Sequence, residues 1–160
     1  MDQDETALRR FHDAQARYYD QALSEMRAGR KSSHWIWFIF PQIVELGRSS
    51  TAARYGIADV DEGREYLADP ILRNRYREIS AVLLEKLEAG VPLVRLMGSH
   101  VDALKLVSSQ TYFLVLVRRM LTDAPDEELT GIEAMAALIL QHAARQGFRV
   151  CEASRLAAEE

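Results

Sequence analysis

The chain has few of the residues that most often mark a metal or redox site. Its 160 residues include one cysteine, Cys151, which excludes an intramolecular disulfide and a cysteine-rich zinc site. The four histidines are scattered and form no H-x-x-x-H pair, so the sequence predicts no metal site. A glycine-rich phosphate loop, a G-x-S-x-G elbow and a C-x-x-C pair are also missing, so no cofactor is predicted. These absences leave open whether the protein is an enzyme.

Charge and hydropathy argue against two further classes of partner. The 20 lysines and arginines are outnumbered by 24 acidic residues, and a net charge of -4 argues against a general nucleic-acid binder. No apolar run approaches the roughly 20 residues that a membrane-spanning helix needs. Residues 1–5 are acidic, unlike a signal or transit peptide. We therefore expect a cytoplasmic protein that binds neither nucleic acid nor membrane.

Helical spacing of the apolar residues, interrupted by capping side chains and glycines, predicts an all-α fold. A first helix is predicted from a cap at Thr6 to a glycine stop at Gly29, with an apolar stripe of Leu8, Phe11, Tyr18, Ala22 and Met26, widened by Tyr19 and Leu23. Further helices are predicted over residues 42–46, 52–55, 59–68, 69–89, 92–97, 100–121 and 127–145, with caps at Asp59, Asp69 and Ser99. The tail after Gly147 is predicted to dock through Phe148, Val150 and Leu156 or to fray. The whole pattern indicates a single compact multi-helix domain over residues 1–160.

Residues 35–40 are the one stretch that fits two conformations. The run Trp-Ile-Trp-Phe-Ile-Phe is consistent with a short buried strand or with a buried segment that enters a helix. Its aromatic and β-branched content, and the proline that follows Phe40, favour an extended segment. In an extended chain Trp35 and Trp37 share one face, which either joins the core or forms an aromatic wall for a planar ligand. Gln42 is the polar side chain nearby that could read an amide or a base edge.

A cluster of cations and hydroxyls lies directly before this run. Arg30, Lys31, Ser33 and His34 follow a helix stop, where their donors could bind a phosphate or a carboxylate. The alternative is that the two cations only neutralise the C-terminal end of the first helix. His34 could act as an acid or a base, or it could be a purely structural histidine.

A second polar cluster precedes the most apolar helix. Asp102, Lys105 and Ser109 recur at helical spacing, with Ser108 beside them, so they could hold a polar ligand. The alternative is a solvated ion pair between Asp102 and Lys105. Because the helix continues into an apolar stretch at residues 111–117, the polar patch predicts a groove or an interface.

The chain resembles the domain-of-unknown-function 1810 family over most of its length, to about Arg119. The string His-Trp-Ile-Trp-Phe-Ile-Phe-Pro-Gln at residues 34–42 is the most specific part of the resemblance. The other matching segments are residues 11–15, 29–33, 46–49, 55–57 and 66–67, together with Asp102, Lys105, Ser108, Ser109, Thr111 and Phe113. Ile36, Gln110 and Tyr112 depart mildly from the family pattern.

This resemblance implies an all-helical, mostly bacterial, single-domain protein, and it implies no activity. The name calpastatin is attached to some members of the family. We do not transfer the inhibitor function, because the calpain inhibitor is a disordered repeat protein and this composition is that of a packed globule.

Two functions are consistent with the sequence. The first is a site for a small anionic or nucleotide-like ligand between the two polar clusters, with Arg30, Lys31, Ser33, Trp35, Trp37, Gln42, Lys105, Ser108 and Ser109 as binding residues. If such a site is catalytic, His34 or Asp102 is the acid–base group, and an N-glycosidic or ADP-ribose-type hydrolase is the reaction suggested by analogy. The second is a non-enzymatic interaction or regulatory module, its protein partner unknown, in which the polar clusters are structural.

Overall fold

Capping side chains and left-handed glycines divide the chain into helices. Asp59, Asp69 and Ser99 accept hydrogen bonds from backbone N–H groups in the first turns of the helices that follow them, as predicted. Asp126 caps a further helix in the same way. Gly29 and Gly98 adopt φ of +83° and +80° at helix ends, a conformation that a residue without Cβ adopts at little cost.

The computed structural model describes residues 3–160, with side chains from residue 7 onward. Its helices are α1 (Gln3–Arg27), α2 (Ile36–Ile39), α3 (Ser50–Tyr55), α4 (Val60–Ala68), α5 (Pro70–Glu88), α6 (Leu93–Met97), α7 (His100–Asp123), α8 (Glu127–Arg145) and α9 (Glu152–Glu159). The predicted all-α class is confirmed. Helix α1 already includes Thr6, so the predicted start there is wrong, and the capping side chain of Thr6 lies outside the described residues.

Helix α7 is the centre of the core. It packs against α8 and α9 and also contacts α6 and α4. Its residues 106–114 are all buried, so this part of the helix is covered on every side. Phe113 stacks against Tyr66 of α4 and Tyr76 of α5, with ring centroids 5.4 and 4.8 Å apart. The helices therefore share one hydrophobic core, as the sequence predicts.

The extended segment favoured for residues 35–40 is wrong. Residues 36–39 form the single helical turn α2, in which the Phe40 N–H donates to the carbonyl of Ile36 over 3.0 Å. Because the turn is buried and no strand of the described chain lies beside it, its backbone groups must be bonded locally, and a helical turn does this. Phe40 itself, before Pro41, keeps the non-helical backbone that proline imposes.

The short helix predicted over residues 42–46 is mostly absent. Only Val44–Leu46 forms a 3-10 turn, and Ile43 instead pairs with Ile57 in an isolated parallel bridge. The Ile57 N–H donates to the Gln42 carbonyl over 2.8 Å, and the Val44 N–H donates to the Ile57 carbonyl over 3.0 Å. This bridge holds α3 beside α2.

The tail folds as α9 and packs on α7. Phe148, Ser154 and Ala158 are buried, whereas Val150 and Leu156 are exposed, so only Phe148 docks as predicted. Across residues 3–160, none of the helices combines the length and hydropathy that crossing a membrane requires.

Candidate ligand-binding site

The 30–34 loop is organised by a carboxylate that the sequence did not single out. Glu25, in the last turn of α1, accepts hydrogen bonds from the Ser32 N–H at 2.7 Å and the Ser33 N–H at 3.0 Å. The Ser33 hydroxyl and the Trp35 indole N–H, at 2.9 Å, also donate to it. Burial would raise the pKa of Glu25, but the hydrogen bonds from Ser33, Ser32 and Trp35 outweigh this and lower it to about 2. Glu25 therefore stays ionised and fixes the loop.

The two polar clusters predicted from the sequence meet through one ion pair. The Lys31 Nζ lies 2.7 Å from Asp102 Oδ2 and donates to the Ser33 carbonyl over 2.6 Å. Both charged side chains are largely buried, with 6% of Lys31 and 17% of Asp102 exposed. Lys105 lies 3.9 Å from the other oxygen of Asp102. Asp102 is thus neutralised by two lysines, and the pair closes the space between the loop and α7.

The two tryptophans lie in different surroundings. Trp35 is fully buried and the ammonium of Lys31 lies 5.1 Å from its ring centroid. Trp37 is partly exposed, the ammonium of Lys105 lies 5.1 Å from its ring, and its buried indole nitrogen has no partner among the described residues. The shared face expected for an extended chain is wrong, because residues two apart on a helical turn point to nearly opposite sides.

The remaining predicted site residues do not join the Lys31–Asp102 pair. Ser109 is buried and its hydroxyl lies 3.0 Å from that of Tyr76 in the core. Ser108 donates to the Leu104 carbonyl of its own helix over 3.0 Å. Arg30 and His34 are exposed. The Gln42 side chain lines only a narrow crevice beside Trp37 and Tyr55.

An open groove runs between α1 and α3 beside this loop. Its first part, the aromatic half, has a volume of about 450 Å³ and is lined by Tyr18, His34, Trp37, Phe38, Ser50, Thr51, Arg54 and Tyr55. Its second part, the arginine half, has a volume of about 530 Å³ and is lined by Arg10, Asp13, Ala14, Ala16, Arg17, Tyr18, Arg54 and Tyr55. Tyr18, Arg54 and Tyr55 border both halves, so the two parts adjoin, and we call them together the α1–α3 groove.

Aromatic rings form one wall of the groove. The Phe38 ring lies 5.6 Å from Tyr18 and meets Tyr55 edge-on at 5.1 Å. Tyr18 is 43% exposed, whereas Tyr19 is buried and donates to Glu78 over 2.5 Å. The apolar pattern in the sequence places Tyr18 on the buried stripe, because a pattern of apolar residues leaves out the polar Gln15, which lies on the face that is buried. Gln15 is itself buried and donates to the Phe38 carbonyl over 2.8 Å, so the buried face includes it and Tyr19.

The cations of the groove differ in their partners. The guanidinium of Arg10 is bound by Glu62, at 2.5 Å, and by the carbonyl of Gly56, at 2.9 Å. Arg54 lies 5.4 Å from the ring centroid of Tyr55 and forms no ion pair among the described residues, and neither does Arg17. His34 makes no hydrogen bond within the described chain. Two guanidinium groups, an imidazole and the rings of Tyr18, Trp37 and Tyr55 therefore face open space, whereas the Phe38 ring is buried.

The sequence missed most of the groove because it is assembled from three separate segments. Arg17, Tyr18, Ser50, Arg54 and Tyr55 each look like parts of an ordinary surface when read along the chain. Of the residues predicted from the sequence, only His34 and Trp37 line the groove. The only sequence signal for the groove is that the charged residues of α1 continue to Arg17, directly before Tyr18.

Comparison with known proteins identifies relatives without an assigned activity. Residues 5–125 match the family described as protein of unknown function (DUF1810). The crystal structure of the conserved hypothetical protein Rv1873 from Mycobacterium tuberculosis is similar, with 37% sequence identity and a TM-score of 0.66. The similarity covers 83% of this chain and 87% of Rv1873. No curated protein matches the chain.

Proposed function

Because the chain belongs to the DUF1810 family, which has no assigned activity, we propose a function from its own geometry: it binds a small anionic ligand that carries a planar group, such as a nucleotide, in the α1–α3 groove. The observation that supports this most is the combination of unpaired arginines with exposed aromatic rings along one groove. A guanidinium pairs with phosphate or carboxylate in a bidentate geometry, and a planar ring stacks on tryptophan or tyrosine.

The groove is a better place for the ligand than the Lys31–Asp102 pair, where the sequence located it. Lys31 and Asp102 already neutralise each other at 2.7 Å, and an anion would have to displace the carboxylate. Arg17 and Arg54 can receive an anion without displacing a carboxylate, because neither forms an ion pair among the described residues. Trp37 lines the groove and also contacts Lys105, beside the Lys31–Asp102 pair. The sequence motif centred on Trp37 can therefore contribute to the groove.

We propose binding and not turnover. The acid–base group expected from the sequence is His34 or Asp102, but Asp102 lies between two lysines and does not line the groove. Within the aromatic half, His34 is the only histidine or carboxylate, and an N-glycosidic or ADP-ribose-type hydrolysis normally needs a partner carboxylate there. That reaction therefore has less support than binding.

Thermal unfolding in the presence of ligands tests this function. The panel consists of nucleoside monophosphates, sugar phosphates and inorganic phosphate, applied to the wild type, Arg54→Ala and Arg30→Ala. A ligand that binds only the folded state stabilises it by about 2.7 kcal/mol at a hundred times its dissociation constant. We expect a shift with nucleoside monophosphates that persists in Arg30→Ala and is lost in Arg54→Ala.

Two results would overturn the proposal. The first is the absence of a shift with every ligand, which would support a protein-interaction module instead. The second is an equal shift in wild type and Arg54→Ala, which would place the binding elsewhere.

A further inference from the structure

The length and chemistry of the groove specify the ligand further. We infer, on the premise that the proposed function holds, that the ligand is a nucleoside diphosphate with a hydroxylated substituent, which occupies both halves of the α1–α3 groove. The first support is adjacency, since Tyr18, Arg54 and Tyr55 border both halves and the two therefore meet at these side chains.

The second support is length. The residues of α1 that line the groove extend from Arg10 to Tyr18. Eight residues of α-helix correspond to about 12 Å, at 1.5 Å per residue. A planar ring beside Trp37 with a single phosphate at Arg54 would fill only the aromatic half, so a monophosphate leaves the arginine half unused.

The third support is the order of charges along the groove. Arg54 lines both halves and Arg17 lines only the arginine half, so one guanidinium stands where the halves meet and a second is available in the arginine half. Each phosphate of a diphosphate can accept a pair of N–H bonds from one guanidinium. Arg10 adds positive charge to the same half, but its donors are held by Glu62 and backbone carbonyls.

The fourth support is the carboxylate in the arginine half. The Asp13 side chain is 75% exposed and its only ion pair among the described residues is with Arg9 at 4.0 Å. A carboxylate repels a further phosphate but accepts hydrogen bonds from hydroxyl groups. The group beyond the diphosphate is therefore a sugar or another polyol, and not a third phosphate.

Calorimetric titration with a graded series of ligands tests this inference. The probes are AMP, ADP, ATP and ADP-ribose, with GMP, GDP and GDP-mannose as a second series, at one fixed salt concentration. The proteins are wild type, Arg17→Ala, Asp13→Ala and, as a control for loss of an exposed arginine outside the groove, Arg77→Ala. We expect a gain of about tenfold from monophosphate to diphosphate, the size of a hydrogen bond to a charged group.

The variants should separate the two halves. Arg17→Ala should remove most of the gain from the second phosphate, so it should weaken the diphosphates far more than the monophosphates. Asp13→Ala should weaken only the diphosphate sugar, and it should improve the binding of ATP because a repulsive charge is removed. Arg77→Ala should match the wild type with every probe.

The outcomes distinguish this inference from the proposed function. If monophosphate, diphosphate and diphosphate sugar bind within twofold of one another and Arg17→Ala has no effect, the ligand occupies only the aromatic half. The inference is then wrong while the proposed function stands. If none of the probes binds, both are wrong. If ATP binds more tightly than the diphosphate sugar to wild type, the role assigned to Asp13 is wrong and a third phosphate occupies the arginine half.

Discussion

The 30–34 loop and the α1–α3 groove contain similar residues but differ in where their polar atoms point. In the loop, Lys31, Ser33 and Trp35 bond to Asp102 and Glu25, so the charges are paired inside the protein. In the groove, Arg17, Arg54 and His34 have no such partner among the described residues. The comparison teaches that cations, hydroxyls and aromatic rings indicate a binding site only where their partners are missing.

The difference between the two regions can be tested through stability, because the loop should support the fold and the groove should not. Asp102→Ala should have the largest effect. It leaves the ammonium of Lys31 buried without a carboxylate, and breaking a buried pair in this way costs about 3–5 kcal/mol. Urea unfolding measures the loss.

A double variant provides the control for this prediction. Lys31→Met with Asp102→Leu removes both charges and should recover much of the lost stability, since the buried ammonium of Lys31 is removed with its partner and only the more exposed Lys105 loses a carboxylate. A loss below about 1 kcal/mol for Asp102→Ala would contradict the structural role of the pair.

Glu25→Gln should have the second largest effect, about 1–3 kcal/mol, because several donors lose a charged acceptor. The effect should depend on pH. The pKa of Glu25 is lowered from 4.5 to about 2 in the folded state, so the carboxylate stabilises the fold above pH 4.5. This contribution is lost as the pH falls from 4.5 through 2.

The difference in unfolding free energy between wild type and Glu25→Gln should therefore shrink as the pH falls across that range. Glu85→Gln, on an exposed position of α5, is the matched control and should differ little from wild type at any pH. A difference that stays constant from pH 6 to pH 2 would show that Glu25 does not act through its charge.

The two tryptophans provide a matched pair, with Trp35 directly before α2 and Trp37 within it. Trp35→Phe removes a donor to Glu25 from a fully buried site and should cost about 1–3 kcal/mol. Trp37→Phe removes an indole N–H that has no partner among the described residues, so it should cost less, about 1 kcal/mol or below. Equal losses in chemical denaturation followed by circular dichroism would mean that the contrast between the two sites is absent.

The smallest effects should come from the groove. Arg17→Ala and Arg54→Ala should each change the unfolding free energy by about 0.5 kcal/mol or less, as expected for surface positions without partners. Arg10→Ala, in the same groove, should cost more, since Arg10 is bound by Glu62 and backbone carbonyls. If Arg54→Ala destabilised the protein as much as Arg10→Ala, its guanidinium would be structural and not free for a ligand.

Local chemistry explains which parts of the fold could be predicted. Asp59, Asp69 and Ser99 act as caps, and Gly29 and Gly98 end helices, because each effect depends on a few adjacent residues. Residues 35–40 were harder, since their β-branched and aromatic side chains favour an extended chain and only the tertiary surroundings impose the helical turn.

One part of the candidate site could be predicted from the sequence and the other part could not. The contact between the two polar clusters could be predicted because opposite charges attract, and Lys31 does form an ion pair with Asp102. The groove depends instead on the rotation of α1 about its axis, which is set by a buried Gln15 that a hydrophobic pattern does not reveal. Tyr18 was therefore assigned to the core, and the aromatic wall it forms was not predicted.

Nuclear magnetic resonance offers the most direct test of the central claim, because the chain has only two tryptophans and hence two indole N–H signals. We would titrate ¹⁵N-labelled protein with ADP-ribose and follow both signals, assigned by Trp35→Phe and Trp37→Phe. The account predicts that the Trp37 signal shifts in a saturable manner while the Trp35 signal, bonded to Glu25, stays in place. A saturable shift of Trp35 alone, or no shift of either signal at millimolar ligand, would contradict it.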